Sequence, residues 1–186
     1  MVTFLILIAV LLFIGSAPVN VHAEGCGIQT APLNTDQAGI DIVGGNPAQE
    51  GEWPWQAFIQ DGDTTYGGVL VDPEWVLTWP ATNDLSGTKV SMGSNNINNP
   101  SSHLQTRTVT QRVTHPNING YDFMVSLLKL SSPFTITDYV RYICLPEPPI
   151  ISFPPGTTCT AAGWGSTSES DMDYNNELLE VDVQVE

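Results

Sequence analysis

Basic side chains are what this chain has least of. Five Lys and Arg stand against 20 Asp and Glu, a formal net charge of −15 over 186 residues. Such a surface repels phosphate backbones and anionic lipid headgroups, which argues against nucleic-acid and membrane-surface roles and leaves a cationic protein as the partner the charge suits. Cysteine is scarce as well. The three present are Cys26, Cys144 and Cys159, with no Cys-x-x-Cys pair to suggest a zinc knuckle or a thioredoxin-like redox site. Rossmann, P-loop, His-Glu-x-x-His and EF-hand patterns are all missing, so no cofactor and no metal is expected. The one Asn-x-Ser/Thr string, Asn99-Pro-Ser, is blocked as a glycosylation acceptor by Pro100.

Long apolar runs are also lacking. Phe4–Ile14 is unbroken but short of the ~18–20 residues that span a bilayer. Small residues follow it, and Val21-His22-Ala23 has the small-x-Ala shape of a signal-peptidase site. A signal peptide over 1–23, cleaved after Ala23, is therefore expected; the alternative is an uncleaved anchor. Secretion into an oxidising, extracellular compartment follows. Residues 24–41 are polar and turn-rich, with Cys26 at their head.

Apolar residues make up 41% of the chain and charged ones 13%, a globular rather than a disordered balance. From Trp55 onward no helical period persists for ten residues. Short segments alternate with period two instead, separated by turn signals. The expected strands are Gln56–Gln60, Thr65–Val71, Trp75–Thr78, Lys89–Met92, Gln105–Val113 and Met124–Leu130. Asp61-Gly62-Asp63 marks a tight hairpin between the first two, and Asp72-Pro73-Glu74 a turn between the next. Six strands in this order can close an antiparallel barrel, which removes exposed edges. The fold class is all-β.

Six strings then hold a fixed order and spacing: Ile42-Val-Gly-Gly45, Trp53-Pro-Trp-Gln56, Trp75-Val-Leu-Thr78, Leu127-Leu-Lys-Leu130, Ile143-Cys-Leu-Pro146 and Gly163-Trp-Gly165. Each is modest alone. Together they resemble the trypsin-like (chymotrypsin-fold) serine proteases, from about Ile42 to Glu186. The resemblance implies a double β-barrel: a first barrel over 42–148, and over 149–186 only the first strands of a second, opening at Cys159-Thr-Ala-Ala-Gly. Residues 24–41 correspond to a propeptide whose cysteine bonds to the Ile-Cys-Leu-Pro cysteine, so the resemblance implies a Cys26–Cys144 disulfide. Chain-entropy arguments put a loop of that length on the order of 4–5 kcal/mol. Cys159 is left over, as a free thiol or an intermolecular bridge.

The same resemblance implies acyl transfer by a serine nucleophile, a histidine base and an orienting aspartate. Here this sequence departs from the pattern. The histidine position falls on Ala81 and the aspartate position on Met124, and Gly-Asp-Ser-Gly-Gly-Pro occurs nowhere in the 186 residues. A methyl group accepts no proton, and a thioether holds no imidazolium. Tyr66 and Thr82 replace both members of one family disulfide, and Trp79-Pro80 replaces two alanines beside the base position. Asp122 stands two residues from the aspartate position, and His103 and His115 are the remaining imidazoles of the domain. All three are read as structural. Cleavage before Ile42 is not expected either, because Asp41 stands where a basic residue usually precedes the cut. The Asn- and Ser-rich loop 93–104 carries no carboxylate and suits no calcium ion.

The expectation is an inactive, secreted binding or regulatory member of the family. Its alternatives are a truncated serine-type endopeptidase and an acidic interaction protein unrelated to proteolysis. In the last segment, Leu178–Glu186, Val181, Val183 and Val185 lie on one face and Asp182, Gln184 and Glu186 on the other, the pattern of a half-buried strand. Two such strands without the rest of a barrel leave open edges, and a chain covering that face is the second kind of partner expected.

Overall fold

The computed structural model describes residues 25–31, 45–80, 85–119, 123–146, 153–166 and 174–185. The signal segment with Ala23, residues 32–44 with Ile42, and Ala81, Thr82 and Asp122 lie outside the described residues. Among the described residues, nine strands follow in order: β1 (Asn46–Pro47), β2 (Gln56–Asp61), β3 (Thr64–Asp72), β4 (Trp75–Thr78), β5 (Lys89–Met92), β6 (Gln105–Thr114), β7 (Ser126–Leu130), β8 (Thr158–Gly163) and β9 (Leu179–Gln184). Strands β2 to β7 form a closed barrel in the order β2-β3-β4-β7-β6-β5, with β5 returning to β2. All its pairings are antiparallel. The remaining three strands make a separate sheet, β1-β9-β8.

Alternation along each barrel strand sends every second side chain inward. Ala57 and Ile59 of β2, Val90 and Met92 of β5, and Leu128 and Leu130 of β7 meet in this way. Phe134 and Val140, from the segment after β7, complete the cluster. The turn between β3 and β4 is pinned from both sides. The Glu74 amide donates to Asp72 Oδ1 at 3.0 Å, and the Phe134 amide donates to the Pro73 carbonyl at 2.8 Å. Bulges interrupt the register between Leu70 and Asp72 and between Val109 and Gln111, giving the extra twist that a small barrel needs.

Four barrel strands match their expected bounds to within a residue at either end, and β3 extends one residue beyond Thr65–Val71 at each end. The sixth is shorter than expected. It begins at Ser126 rather than Met124, because Phe123 takes a φ of 58° and the Val125 amide folds back onto the Phe123 carbonyl at 2.8 Å. A left-handed residue breaks the pleat, so Met124 and Val125 sit before the ladder.

Strand β9 is half-buried. Glu180 is buried, as is Leu178 just ahead of the strand, whereas Val183 is 38% exposed. The Trp53 indole donates to Glu180 Oε2 at 2.6 Å and so holds one acidic side chain of the strand in the interior.

Cys26 and Cys144 are joined by a disulfide, 118 residues apart in sequence with their Cα atoms 5.0 Å apart. The Gly27 amide donates to the Tyr142 carbonyl at 2.9 Å, and Gln29 Nε2 donates to the Glu52 carbonyl at 2.9 Å. Cys159 is a free thiol on β8, opposite Val183 in the ladder.

A bridge of this span mainly restricts the unfolded chain. Replacing both Cys26 and Cys144 by Ser is expected to lower the unfolding free energy by ~2–5 kcal/mol, measured as a fall in the denaturant midpoint at constant slope. One equivalent of thiol per folded chain is expected to react with a disulfide reagent, and Cys159→Ser is expected to abolish that reaction.

Candidate functional site

An open cleft of about 420 Å³ lies where the barrel meets the second sheet. Gly67, Leu77 and Trp79 from β3, β4 and the residue just after β4 line the barrel side, with Met124 ahead of β7; Ala162 of β8 lines the far side. Glycine is required at Gly68, on the same wall. A Cβ there would come within 2.9 Å of both Ile59 Cδ1 and Val76 Cγ1, and 3.0 Å of the Leu77 carbonyl oxygen. The absence of a side chain lets β2, β3 and β4 close tightly beneath the cleft.

The polar groups at the cleft are committed to holding it together. Thr78 Oγ1 donates to the Gly67 carbonyl at 2.7 Å. Gln56 Nε2 donates across the seam to the Ala162 carbonyl at 3.2 Å. Trp79 is 52% exposed, an indole standing at the mouth. Among the described residues that line this cleft, none carries a titratable side chain. The described lining offers apolar and backbone contact.

Met124, the aspartate position implied by the resemblance, stands on this wall. Ala81, the histidine position, lies outside the described residues, two positions after Trp79. The two imidazoles weighed as substitutes are engaged elsewhere. His103 stacks on Tyr139 with ring centroids 3.6 Å apart. His115 is buried, stacks on Phe123 at 4.7 Å, and accepts the Asn117 amide through Nδ1 at 3.2 Å. Neither lines the cleft.

Tyr66, at a cysteine position of the family pattern, packs against the core cluster. Burial foremost, and then the Asp61 carboxylate, push its phenol above the usual tyrosine range, while Arg112 opposes both. Arg112 and Asp61 pair at 3.7 Å, and Thr88 Oγ1 donates to Asp61 Oδ1 at 2.9 Å. No group of three or more His, Cys, Asp or Glu side chains arranged to hold a metal occurs among the described residues. The Asn-rich loop 93–104 acts instead as a strap between barrel and second sheet. Asn95 receives the Trp164 indole at 2.8 Å and the Leu178 amide at 2.9 Å on its carbonyl, and Asn98 Nδ2 donates to Asn176 Oδ1 at 2.7 Å.

One group escaped the sequence reading altogether. Glu52 and Glu180 are both buried, and Glu52 acts on the Glu180 carboxyl at the same seam. The signal available was Glu180 standing in register with Leu178 on one face of a strand.

The trypsin family model matches residues 42–186. Among similar proteins, mouse (Mus musculus) tryptase is 37% identical over 138 residues, covering 67% of this chain and 48% of that protein. Kallikrein 1-related peptidase b3, also from Mus musculus, is 35% identical over 176 residues, covering 86% of this chain and 63% of that protein. Atrial natriuretic peptide-converting enzyme from Rattus norvegicus is 36% identical over 132 residues, covering 67% of this chain and 12% of that protein. The chain thus spans less than two thirds of the length of each of these relatives. With a closed antiparallel barrel, a second sheet set against it across a cleft, and a family match over most of its length, the chain belongs to the trypsin family.

Proposed function

We propose that this chain is a secreted member of the trypsin family that works by binding rather than by hydrolysis. The observation that carries the reading is the cleft between barrel and second sheet, whose described lining is apolar and amide, with Met124 and the exposed Trp79 on its wall. Proton transfer to and from the reacting groups requires a side chain with a suitable pKa within hydrogen-bond reach. Ala81 and Met124, at the family's histidine and aspartate positions, supply none. The Cys26–Cys144 bridge suits an oxidising compartment and supports secretion.

The excess of acidic over basic residues favours a cationic partner, and the half-exposed valine face of β9 offers a second surface for a covering chain. A second reading is that these residues are the first part of a longer serine-type endopeptidase homologue. The 48% and 63% of tryptase and the kallikrein-related peptidase that the chain covers favour it.

Incubation of the purified chain with a fluorophosphonate serine probe is expected to give no labelling beyond that of a heat-denatured control. Labelling specific to the folded chain would overturn the non-hydrolytic reading. Ala81→His is expected to leave labelling at background, since one imidazole at position 81 restores neither the orienting carboxylate nor the nucleophile. Association with a lysine-rich peptide is expected to weaken as salt rises; no association at low ionic strength removes the cationic-partner reading.

A further inference from the structure

Glu52, in the loop between β1 and β2, is 0% exposed, and Glu180 in β9 is 8% exposed. Two acidic side chains from distant parts of the chain therefore meet in the seam between barrel and second sheet. Glu52 lies near enough to Glu180 to act on its carboxyl. Two ionised carboxylates buried in one seam repel each other, and a proton between them relieves that repulsion. Two further donors close on it: the Gln49 amide to Glu52 Oε2 at 2.7 Å and the Trp53 indole to Glu180 Oε2 at 2.6 Å.

The position matters as much as the chemistry. Glu180 lies at the centre of the second sheet, paired with Asn46 of β1 on one side and Ala162 of β8 on the other. Ala162 forms the far wall of the cleft and accepts the Gln56 amide across it. A change in how Glu180 is held is thus transmitted to that wall through a single step of the ladder.

We propose that Glu52 and Glu180 form a proton-linked joint, closed when the pair holds a proton and loosened when both carboxyls are charged, which sets how firmly the second sheet seats against the barrel. The charged groups acting on Glu180 are Glu52 from the β1–β2 loop and Asp182 on its own strand, both acidic. Asn46 and Ala162, its neighbours on β1 and β8, are uncharged. Burial is the largest influence and pushes the Glu180 carboxyl above the usual range; the Trp53 indole pulls it down; Glu52 and Asp182 push it further up. For an acid whose folded value is raised, the stabilisation is fully present below the unfolded value and is lost as pH rises through the folded one. The joint is therefore tightest at acid pH and weakest at neutral pH.

The test is a carbon-13 NMR titration of the Glu180 carboxyl in the full chain, combined with thermal unfolding across pH. The carboxyl is expected to titrate above the ordinary glutamate range and to move back toward it in Glu52→Gln. Glu180→Gln, which keeps an oxygen for the Trp53 indole, is expected to raise the melting temperature by about 2–4 °C near pH 7. That gain is expected to vanish near pH 4. Glu50→Gln, in the same loop but exposed, makes the same change in net charge and is expected to show no such pH-dependent gain. A Glu180 carboxyl titrating in the ordinary range would overturn the proposal, whether or not the variants fold. So would matching pH profiles for the Glu180 and Glu50 variants. Amide protection at Ala161 and Ala162 that falls as the Glu180 carboxyl loses its proton ties the joint to the cleft wall; protection unchanged through that titration separates them and removes the transmitted effect.

Discussion

Closure of the β2-β3-β4-β7-β6-β5 barrel is the constraint on which the rest of this structure rests. A closed antiparallel barrel satisfies its backbone donors and acceptors around the full circumference and leaves no edge for another chain to extend. Its interior can then be wholly apolar, and Ile59, Leu70, Val76, Val90 and Leu128 are all fully buried there. Gly68 is part of the same condition: any side chain would wedge β3 away from β2 and β4. Because the barrel is rigid, the loops at its rim present fixed atoms to whatever lies beside it, and the cleft wall is built from those atoms.

The second sheet has no such closure of its own. Its strand β1 is two residues long, and β8 is an outer strand of the order β1-β9-β8. It is held by what the barrel lends it. The Asn95 carbonyl receives the Trp164 indole, the Phe58 ring meets Trp164 edge-on at 5.3 Å, and Trp53 reaches across to Glu180. These are polar and aromatic contacts between parts that each keep solvent-facing surface, and they resemble a domain interface more than a core. A buried acidic pair in such a seam makes seating of the sheet sensitive to a single proton. The cleft inherits that sensitivity because Ala162 is its wall.

Membership of the trypsin family and possession of its chemistry are separate matters here. The barrel strings that carry the resemblance are those that turn strands and fill the core: Trp75 with Val76, Leu128 with Leu130, Pro54 with Gln56. They serve closure, and closure does not require a histidine or an aspartate at the rim. A chain can therefore keep the scaffold whatever side chains stand at the rim. Fold follows from the core, and function from the few side chains placed on it.

Most of the barrel was legible from the order of residues because its signal is local. Alternation in Gln56–Asp61 or Ser126–Leu130 can be seen without knowing what each strand will pair with, and Asp-Gly-Asp or Asp-Pro-Glu marks the reversals between strands. The start of β7 was not legible, since nothing about Phe123 announces a left-handed backbone. Nor was the burial of Glu180 in β9. Periodicity divides a strand into two faces but does not say that a single acidic side chain goes inside. Trp53 and Glu180, 127 residues apart, make a contact that exists only once the two sheets are set together. The sequence by itself determined the strands, their turns and the family, because each depends on neighbours along the chain. The tertiary structure alone decided the acidic seam, the cleft and the burial of Glu52, because those arise from the juxtaposition of segments that no local pattern relates.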